Sequence, residues 1–215
     1  SFFALEHIPD PRNTVRQIAS LLNEEGVFYG IVPDTFGNVA DFVVVDHVNH
    51  FTAPSLRRLL VDAGFAEVEI DAKSHRGALV FSARPGAATA QTLNVKATVE
   101  ASRELAAYWH RATEQIRFAE CEIDGSPIAI YGSGFYGAYI FSTLENTETV
   151  RCFLDRSPYQ QGKSLFGKPI LGPEHLPIDV SALLVGLNPA IARAALAQIT
   201  WADRAQPKLF FLDGI

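Results

Sequence analysis

The chain has 215 residues, of which 48% are hydrophobic and 20% are charged, values typical of a globular protein with one large or two small domains. Its formal net charge of −6 and the lack of a Lys/Arg cluster argue against a nucleic-acid-binding surface. The apolar runs are strand-sized and too short to span a bilayer, so we expect a cytoplasmic protein that acts on small molecules and binds no membrane.

Two further global features bear on function. Methionine is absent, and we therefore expect that a segment upstream of Ser1 has been removed. Cys121 and Cys152 fall in different predicted elements, so their spacing indicates neither a disulfide framework nor a zinc-binding pair. We expect both thiols to be buried or half-buried, and we expect no bound metal.

The first third of the chain predicts a strand, a helix and a second strand. Residues 1–5 form a short apolar run. Asp10 and Pro11 are favourable N-cap and N1 residues for a helix that we expect to end at Gly26. Residues 27–32 then predict a buried strand. The order strand, helix, strand favours parallel pairing and an α/β architecture.

Residues 33–51 show no regular period and predict a functional loop. Its apolar run leads into Asp46, His47 and His50. Histidine exchanges protons near neutral pH, so His47 and His50, with Asp46 beside them, are candidates for catalysis. His7 joins them because it follows the first predicted strand at its carboxyl end, where open α/β sheets place ligands. For each histidine the alternative is a structural role, such as a local hydrogen bond.

The next segment predicts a helix and two antiparallel strands. Thr52 is a favourable N-cap and Gly64 a favourable C′ residue for the helix. Residues 66–72 alternate apolar and acidic side chains, as a half-exposed strand does, and residues 78–83 predict its partner.

A domain boundary is expected at residues 85–88, and a long connecting helix is expected after it. Residues 92–122 are rich in helix formers and contain neither proline nor glycine. Apolar residues at steps of three and four share one face of this helix: Leu105, Trp109, Ala112, Ile116 and Ala119.

Residues 128–155 have the Rossmann-like order of strand, glycine turn, helix and strand. Gly132, Gly134 and Gly137 suit a tight turn, the approach of a ligand and close packing of helix on strand. Asp155 lies 23 positions after Gly132, near where a ribose-binding acid belongs. Two interpretations stay open: these four residues bind a nucleotide, or the small residues only let helix and strand pack closely. The remaining residues predict a loop, a strand, a helix and a strand at 161–173, 182–187, 190–199 and 208–212.

The segments SFFALEHIPDP, EEGVFYGIVPD, DHVNHFT and LLVDAGF, in this order, resemble the second half of class I S-adenosylmethionine-dependent methyltransferases. With a Rossmann-like C-terminal domain added, the chain looks like the latter part of sugar C-methyltransferases of nucleotide-sugar pathways. The resemblance implies an α/β fold in three segments. Residues 1–88 form the second half of the methyltransferase sheet, residues 89–125 a connecting helix, and residues 126–215 a Rossmann-like parallel-sheet domain.

The resemblance also implies a cofactor and a substrate. The cofactor is S-adenosylmethionine, whose glycine-rich site has no counterpart in this chain, so the fragment alone is expected to be inactive. The substrate is a nucleotide-linked sugar, with homodimer formation left open. His7 and His47 match histidines that line the sugar site in that family. Asp46 stands where the family has Glu, and Val44 where it often has Tyr, which leaves O- or N-methylation open.

Methyl transfer needs an acceptor freed of its proton, so a base must face the acceptor. We therefore expect His7, Asp46, His47 and His50 to be catalytic. His75 and Arg76, in the turn before the last strand of the first half, are candidates for substrate binding, with a solvated turn as the alternative.

Other functions remain open at this point. One is a nucleotide or nucleotide-sugar binding module without catalysis, acting through the glycine turn. An NAD-dependent oxidoreductase is less favoured, because only about 60 residues follow Asp155, fewer than the ~100 of a typical substrate domain.

Overall fold

A computed structural model describes residues 1–88, 92–199, 201 and 206–213. The chain forms two compact units, Ser1–Leu105 and Ala106–Ile215. The helices are α1 Pro11–Leu21, α2 Ala53–Asp62, α3 Val95–Ile123, α4 Phe135–Thr143 and α5 Pro189–Leu196. The strands are β1 Phe28–Pro33, β2 Phe65–Asp71, β3 Ala78–Pro85, β4 Ile128–Tyr131, β5 Val150–Leu154, β6 Ser164–Leu165, β7 Lys168–Leu171, β8 Ala182–Val185 and β9 Lys208–Phe211. The finer division into residues 1–88, 89–125 and 126–215 stays a prediction.

The first unit contains a three-stranded antiparallel sheet in the order β1-β3-β2. The antiparallel pairing of β2 with β3 confirms the prediction for this pair. The expected parallel partner of β1 is reduced to one bridge, Phe2 to Ile31, because the chain turns into a 3₁₀ helix at Leu5–His7. Helices α1 and α2 contribute to the core of this unit. Its buried residues include Leu5, Val15, Val32, Leu56, Leu60, Phe65, Leu79 and Phe81.

Local capping explains where the helices of this unit begin and end. Asp10 accepts a hydrogen bond from the Asn13 amide at the start of α1. The predicted end of α1 at Gly26 is wrong, because Leu22 is already extended, with φ −87° and ψ 143°. Thr52 and Ser55 form a capping box at the start of α2. Gly64, with φ +101°, follows the end of α2 in the left-handed region that glycine favours.

The long helix α3 confirms the predicted helix to within three residues at each end. All five apolar residues predicted to share its face are buried: Leu105, Trp109, Ala112, Ile116 and Ala119. Cys121, on the same helix, is exposed, whereas Cys152 on β5 is buried, so the expectation of two shielded thiols is wrong for Cys121. Among the described helices, none is long and apolar enough to cross a bilayer.

The second unit contains a six-stranded sheet in the order β6-β7-β5-β4-β8-β9. Strands β7, β5, β4, β8 and β9 are parallel, and only β6 runs antiparallel to its neighbour. The predicted α/β, Rossmann-like architecture is confirmed. The prediction of a loop at 161–173 is wrong, because a hairpin forms there and β7 extends the sheet beside β5. Strands of two and four residues are too short to produce a recognisable alternation.

Candidate functional site

The carboxylate of Asp41 is the centre of a hydrogen-bonded cluster in the first unit. Asp41 lies in a 3₁₀ helix, Val39–Val43, and is 1% exposed. Its Oδ1 lies 2.6 Å from Nδ1 of His47, and its Oδ2 lies 3.0 Å from Nδ1 of His50. The Thr35 hydroxyl donates to Oδ2 at 2.7 Å. Because an ionised carboxylate only accepts hydrogen bonds, both imidazoles donate from Nδ1 and keep the lone pair on Nε2.

Backbone hydrogen bonds hold the loop that carries these residues. The amide of Thr35 donates to the carbonyl of Phe51 at 3.0 Å, which joins the two ends of the loop. Asn49 connects the loop to residues 6–8. Its backbone amide donates to the Glu6 carbonyl at 3.0 Å, and its side chain donates to the Ile8 carbonyl at 2.6 Å. The loop predicted to be functional is therefore ordered against residues 5–8.

Glu6 and His7 lie beside His47. The rings of His7 and His47 meet edge to face with centroids 4.9 Å apart. Nδ1 of His7 lies 3.0 Å from the backbone carbonyl of Asp46. Glu6 is 1% exposed, its Oε1 lies 4.0 Å from His7 Nε2, and its Oε2 has no hydrogen-bond partner among the described residues. The Glu6 carboxylate thus faces an imidazole at a distance too long for a hydrogen bond.

The structure brings three of the predicted catalytic residues, His7, His47 and His50, into one cluster around acids. The predicted acid Asp46 has a side chain that is 70% exposed, with its Oδ2 3.6 Å from His7 Nδ1. Sequence reasoning missed Asp41, the acid that orients two imidazoles. Asp41 precedes His47 by six residues and stands directly before an apolar run. An acid beside a segment suited to burial was the feature of the sequence that could have indicated a buried carboxylate with partners.

The predicted substrate-binding residues His75 and Arg76 are exposed in the turn before β3. The ring of His75 packs edge to face on Phe3, with centroids 5.6 Å apart. Their role in binding a substrate stays a prediction.

In the second unit, the groups of the glycine turn bond mainly to each other. Asp155 Oδ2 accepts hydrogen bonds from the Ser133 amide at 2.9 Å and the Ser133 hydroxyl at 2.5 Å. Asp155 Oδ1 accepts from the Ser157 amide at 2.9 Å. The Gly132 amide donates to the Leu154 carbonyl at 2.7 Å. These bonds join the turn to the end of β5 and engage the acid expected at a ribose.

The three glycines of this turn have different surroundings. A Cβ on Gly137 would collide with the carbonyl oxygen of Gly132, and a Cβ on Gly132 would collide with the carbonyl oxygen of Gly186. A Cβ on Gly134 would meet no atom within 4 Å. Gly132 and Gly137 are therefore required for packing, whereas the space at Gly134 is open. The ligand-binding role of Gly132, Gly134, Gly137 and Asp155 stays a prediction.

The hydrogen bonds at Asp155 shift its acidity. Burial alone would raise the pKa of Asp155, but hydrogen bonds from the Ser133 hydroxyl, the Ser157 amide and the Ser133 amide outweigh burial and lower the pKa below its ordinary value. The ionised carboxylate is therefore the form that closes the turn.

Comparison with known proteins shows which family the first part of the chain resembles. Residues 1–70 match a family described as a methyltransferase domain. Over 190 residues the chain is 28% identical to the C-methyltransferase NovU of Streptomyces niveus, and the match covers 78% of this chain. It covers 45% of that relative, so the chain spans about half the relative's length. These matches confirm the predicted resemblance to class I S-adenosylmethionine-dependent methyltransferases.

The described residues do not fit S-adenosylmethionine, the cofactor of this family. A glycine-rich turn after a parallel strand would be the place for this cofactor, and the described residues have such a turn at 132–137. Both carboxylate oxygens of Asp155 and the amides of Gly132 and Ser133 are engaged within the protein there. The described residues of the first unit contain the cluster around Asp41 but no glycine-rich turn after a parallel strand.

Proposed function

We propose that this chain forms the acceptor side of an S-adenosylmethionine-dependent methyltransferase acting on a nucleotide-linked sugar. A histidine oriented by Asp41 removes the acceptor's proton. The observation that carries the proposal is the buried Asp41 carboxylate, which holds His47 and His50 through Nδ1 and leaves each Nε2 to accept a proton. The methyltransferase-domain match over residues 1–70 supports it.

The chemistry asks for this arrangement of acid and imidazole. S-adenosylmethionine supplies an electrophilic methyl group, and the acceptor must lose a proton to become nucleophilic. In a keto-sugar that proton is on the carbon next to the carbonyl. When Nε2 accepts it, the imidazole becomes a cation, which the adjacent Asp41 carboxylate stabilises. The carboxylate also fixes the ring orientation, so the base needs little reorganisation during the step.

Of the two imidazoles, His50 is the better placed to meet an acceptor. Its side chain is 35% exposed, compared with 15% for His47. The ring of His47 is directed against His7, with centroids 4.9 Å apart. We therefore assign the removal of the proton to His50, with Asp41 as its positioning residue.

Proton removal can be measured without the methyl donor, which makes the proposal testable on this chain. The protein is incubated in D₂O with a dTDP-linked keto-sugar, and deuterium entering beside the carbonyl is followed by NMR. We expect exchange above the rate without protein, and His50→Gln should lower it by roughly 10²–10⁴-fold, the usual contribution of a general base.

The matched control is His110→Gln, which removes an exposed histidine of α3 and should leave the exchange rate unchanged. Binding of the sugar without exchange would overturn the proposal and favour a binding module. Equal loss of exchange in both variants would also overturn it, since the effect would not be specific to the Asp41 cluster.

A further inference from the structure

We infer that Glu6, His7 and His47 form a binding site for a divalent transition-metal ion such as Zn²⁺. Each residue offers one ligand atom, and these atoms all lie within 4.8 Å of one another. Two imidazoles and one carboxylate are a ligand set that binds zinc and related ions. The inference goes beyond methyl transfer and stands on the geometry of the three side chains.

The hydrogen bonds of His7 and His47 leave an imidazole lone pair on each Nε2. Nδ1 of His7 lies 3.0 Å from the Asp46 carbonyl, and Nδ1 of His47 lies 2.6 Å from the Asp41 carboxylate. Both partners only accept hydrogen bonds, so both Nδ1 atoms carry a hydrogen and both Nε2 atoms carry a lone pair. The cluster thus combines two nitrogen lone pairs with the Glu6 carboxylate and supplies no hydrogen-bond donor between them. A cation resolves this excess of acceptors.

The buried side chain of Glu6 also favours a bound cation. The residue is 1% exposed, and its Oε2 has no hydrogen-bond partner among the described residues. A buried carboxylate oxygen without a partner is costly, and buried carboxylates in proteins are usually paired or bind a metal. Among the described residues, the basic atom that comes within 4.0 Å of the Glu6 carboxylate is His7 Nε2, at 4.0 Å from Oε1, which is too far for a hydrogen bond. A metal ion between them would contact both.

The groups that hold the two histidines are of the kind found at metal sites. Metal-binding histidines almost always donate their other ring N–H to a carboxylate or a backbone carbonyl, which fixes the tautomer and the ring orientation. His47 has the carboxylate of Asp41 in this position, and His7 has the carbonyl of Asp46. Asp41 is in turn held by the Thr35 hydroxyl. The supporting groups of a metal site are therefore already in place.

The present spacing is slightly wider than a bound ion requires. Tetrahedral zinc with bonds of ~2.0–2.1 Å places its ligand atoms roughly 3.4 Å apart. The ligand atoms of Glu6, His7 and His47 lie within 4.8 Å of one another. Closing the gap needs side-chain movements of about an ångström. Of the three ligands, His7 has the most exposed side chain, at 40%, and therefore the most room to move.

Three protein ligands leave the fourth position of zinc open, as in sites that bind a substrate or water. If the proposed function holds, this position suits the carbonyl or hydroxyl oxygen of the sugar acceptor, which the ion would polarise. His50 shares the Asp41 carboxylate with the ligand His47 and stays available as the base. This extension rests on the proposed function, whereas the metal site does not.

The test uses the purified chain after removal of metal by a chelator. Zn²⁺ is titrated by calorimetry, and Co²⁺ is followed by visible absorption, which reports ligand number and geometry. We expect one ion per chain and an absorption typical of four-coordinate cobalt. His7→Gln, at a side chain that is 40% exposed, should weaken Zn²⁺ binding by on the order of 100-fold, and Asp41→Asn by roughly 10–100-fold.

His110→Gln is the matched control, because it removes an exposed histidine that lies 3.5 Å from Glu114 on α3. It should leave Zn²⁺ affinity unchanged. The inference is overturned if the chain binds no Zn²⁺, or if His7→Gln and His110→Gln weaken binding equally. Neither methyl donor nor sugar is present in this titration, so its failure leaves the proton-removal proposal intact.

Discussion

The Asp41 carboxylate accepts a hydrogen bond from Nδ1 of His47 at 2.6 Å. Both residues lie in a loop whose sequence has no helical or strand period. The same carboxylate accepts bonds from His50 and Thr35. One acid therefore orders a loop of the first unit and fixes the tautomers of two imidazoles. Stability and proton transfer should respond together when this acid is changed.

Asp41→Asn should show that coupling. The amide group of Asn places a donor where three donors converge, so at least one of them loses its acceptor. We expect the free energy of unfolding to fall by about 1–3 kcal/mol, and the rate at which deuterium enters the keto-sugar in D₂O to fall by roughly 10²–10⁴-fold.

Chemical denaturation followed by circular dichroism measures the loss of stability. The control is Asp62→Asn, which breaks an exposed pair with Arg58 on α2 and should change stability by less than about 1 kcal/mol. A destabilisation of equal size in both variants would contradict the central role of Asp41.

The glycine turn of the second unit allows a contrast between two neighbouring positions. Gly137→Ala places a Cβ against the Gly132 carbonyl oxygen, whereas Gly134→Ala places one in open space with φ −88°. We expect Gly137→Ala to destabilise the second unit by about 1–3 kcal/mol or more, and Gly134→Ala, at the N-cap of α4, by less than about 1 kcal/mol.

Thermal unfolding of the two variants gives this contrast directly. Gly134→Val adds a functional readout, since a branched side chain there would obstruct a bound phosphate without colliding with protein atoms. If Gly134→Val leaves nucleotide affinity unchanged in a protein that binds nucleotide, the turn is a packing device only.

The parts of the fold that could be predicted from sequence are those with local signals. The capping of α2 by Thr52 and the glycine at 64 depend on neighbours a few residues away, so residue type alone predicts them. The role of Asp41 could not be predicted, because its partners are brought to it by irregular backbone without a period. The hydrogen bond from Ser133 to Asp155 could not be predicted either, because an acid at this position can bind a ribose or accept hydrogen bonds from the glycine turn.

Ser133→Ala should raise the pKa of Asp155. The Ser133 hydroxyl bond is the largest of the effects that lower this pKa, and alanine removes it while leaving the amide bond. A carboxyl group with a lowered folded-state pKa stabilises the protein above its unfolded pKa, and the contribution is lost as pH falls through the folded value. The variant should therefore lose less stability than the wild type on going from pH 5 to pH 2.

NMR titration of the Asp155 carboxyl carbon measures the pKa, and denaturation at several pH values measures the slope. Ser126→Ala, in the turn before β4, serves as a control that leaves Asp155 untouched. An unchanged Asp155 titration in Ser133→Ala would mean that the hydroxyl does not set its acidity.

The two thiols should differ sharply in reactivity. Cys121 is exposed on α3, whereas burial, aided by the charge of Asp179, raises the pKa of Cys152 to about 11. The thiolate is the reactive form, so a raised pKa and a buried sulfur both slow alkylation. With iodoacetamide at pH 8, mass spectrometry should find one modified cysteine in the folded protein and two in urea. Cys121→Ser should abolish the folded-state modification, and labelling of Cys152 at the rate of Cys121 would show that β5 is accessible to the reagent.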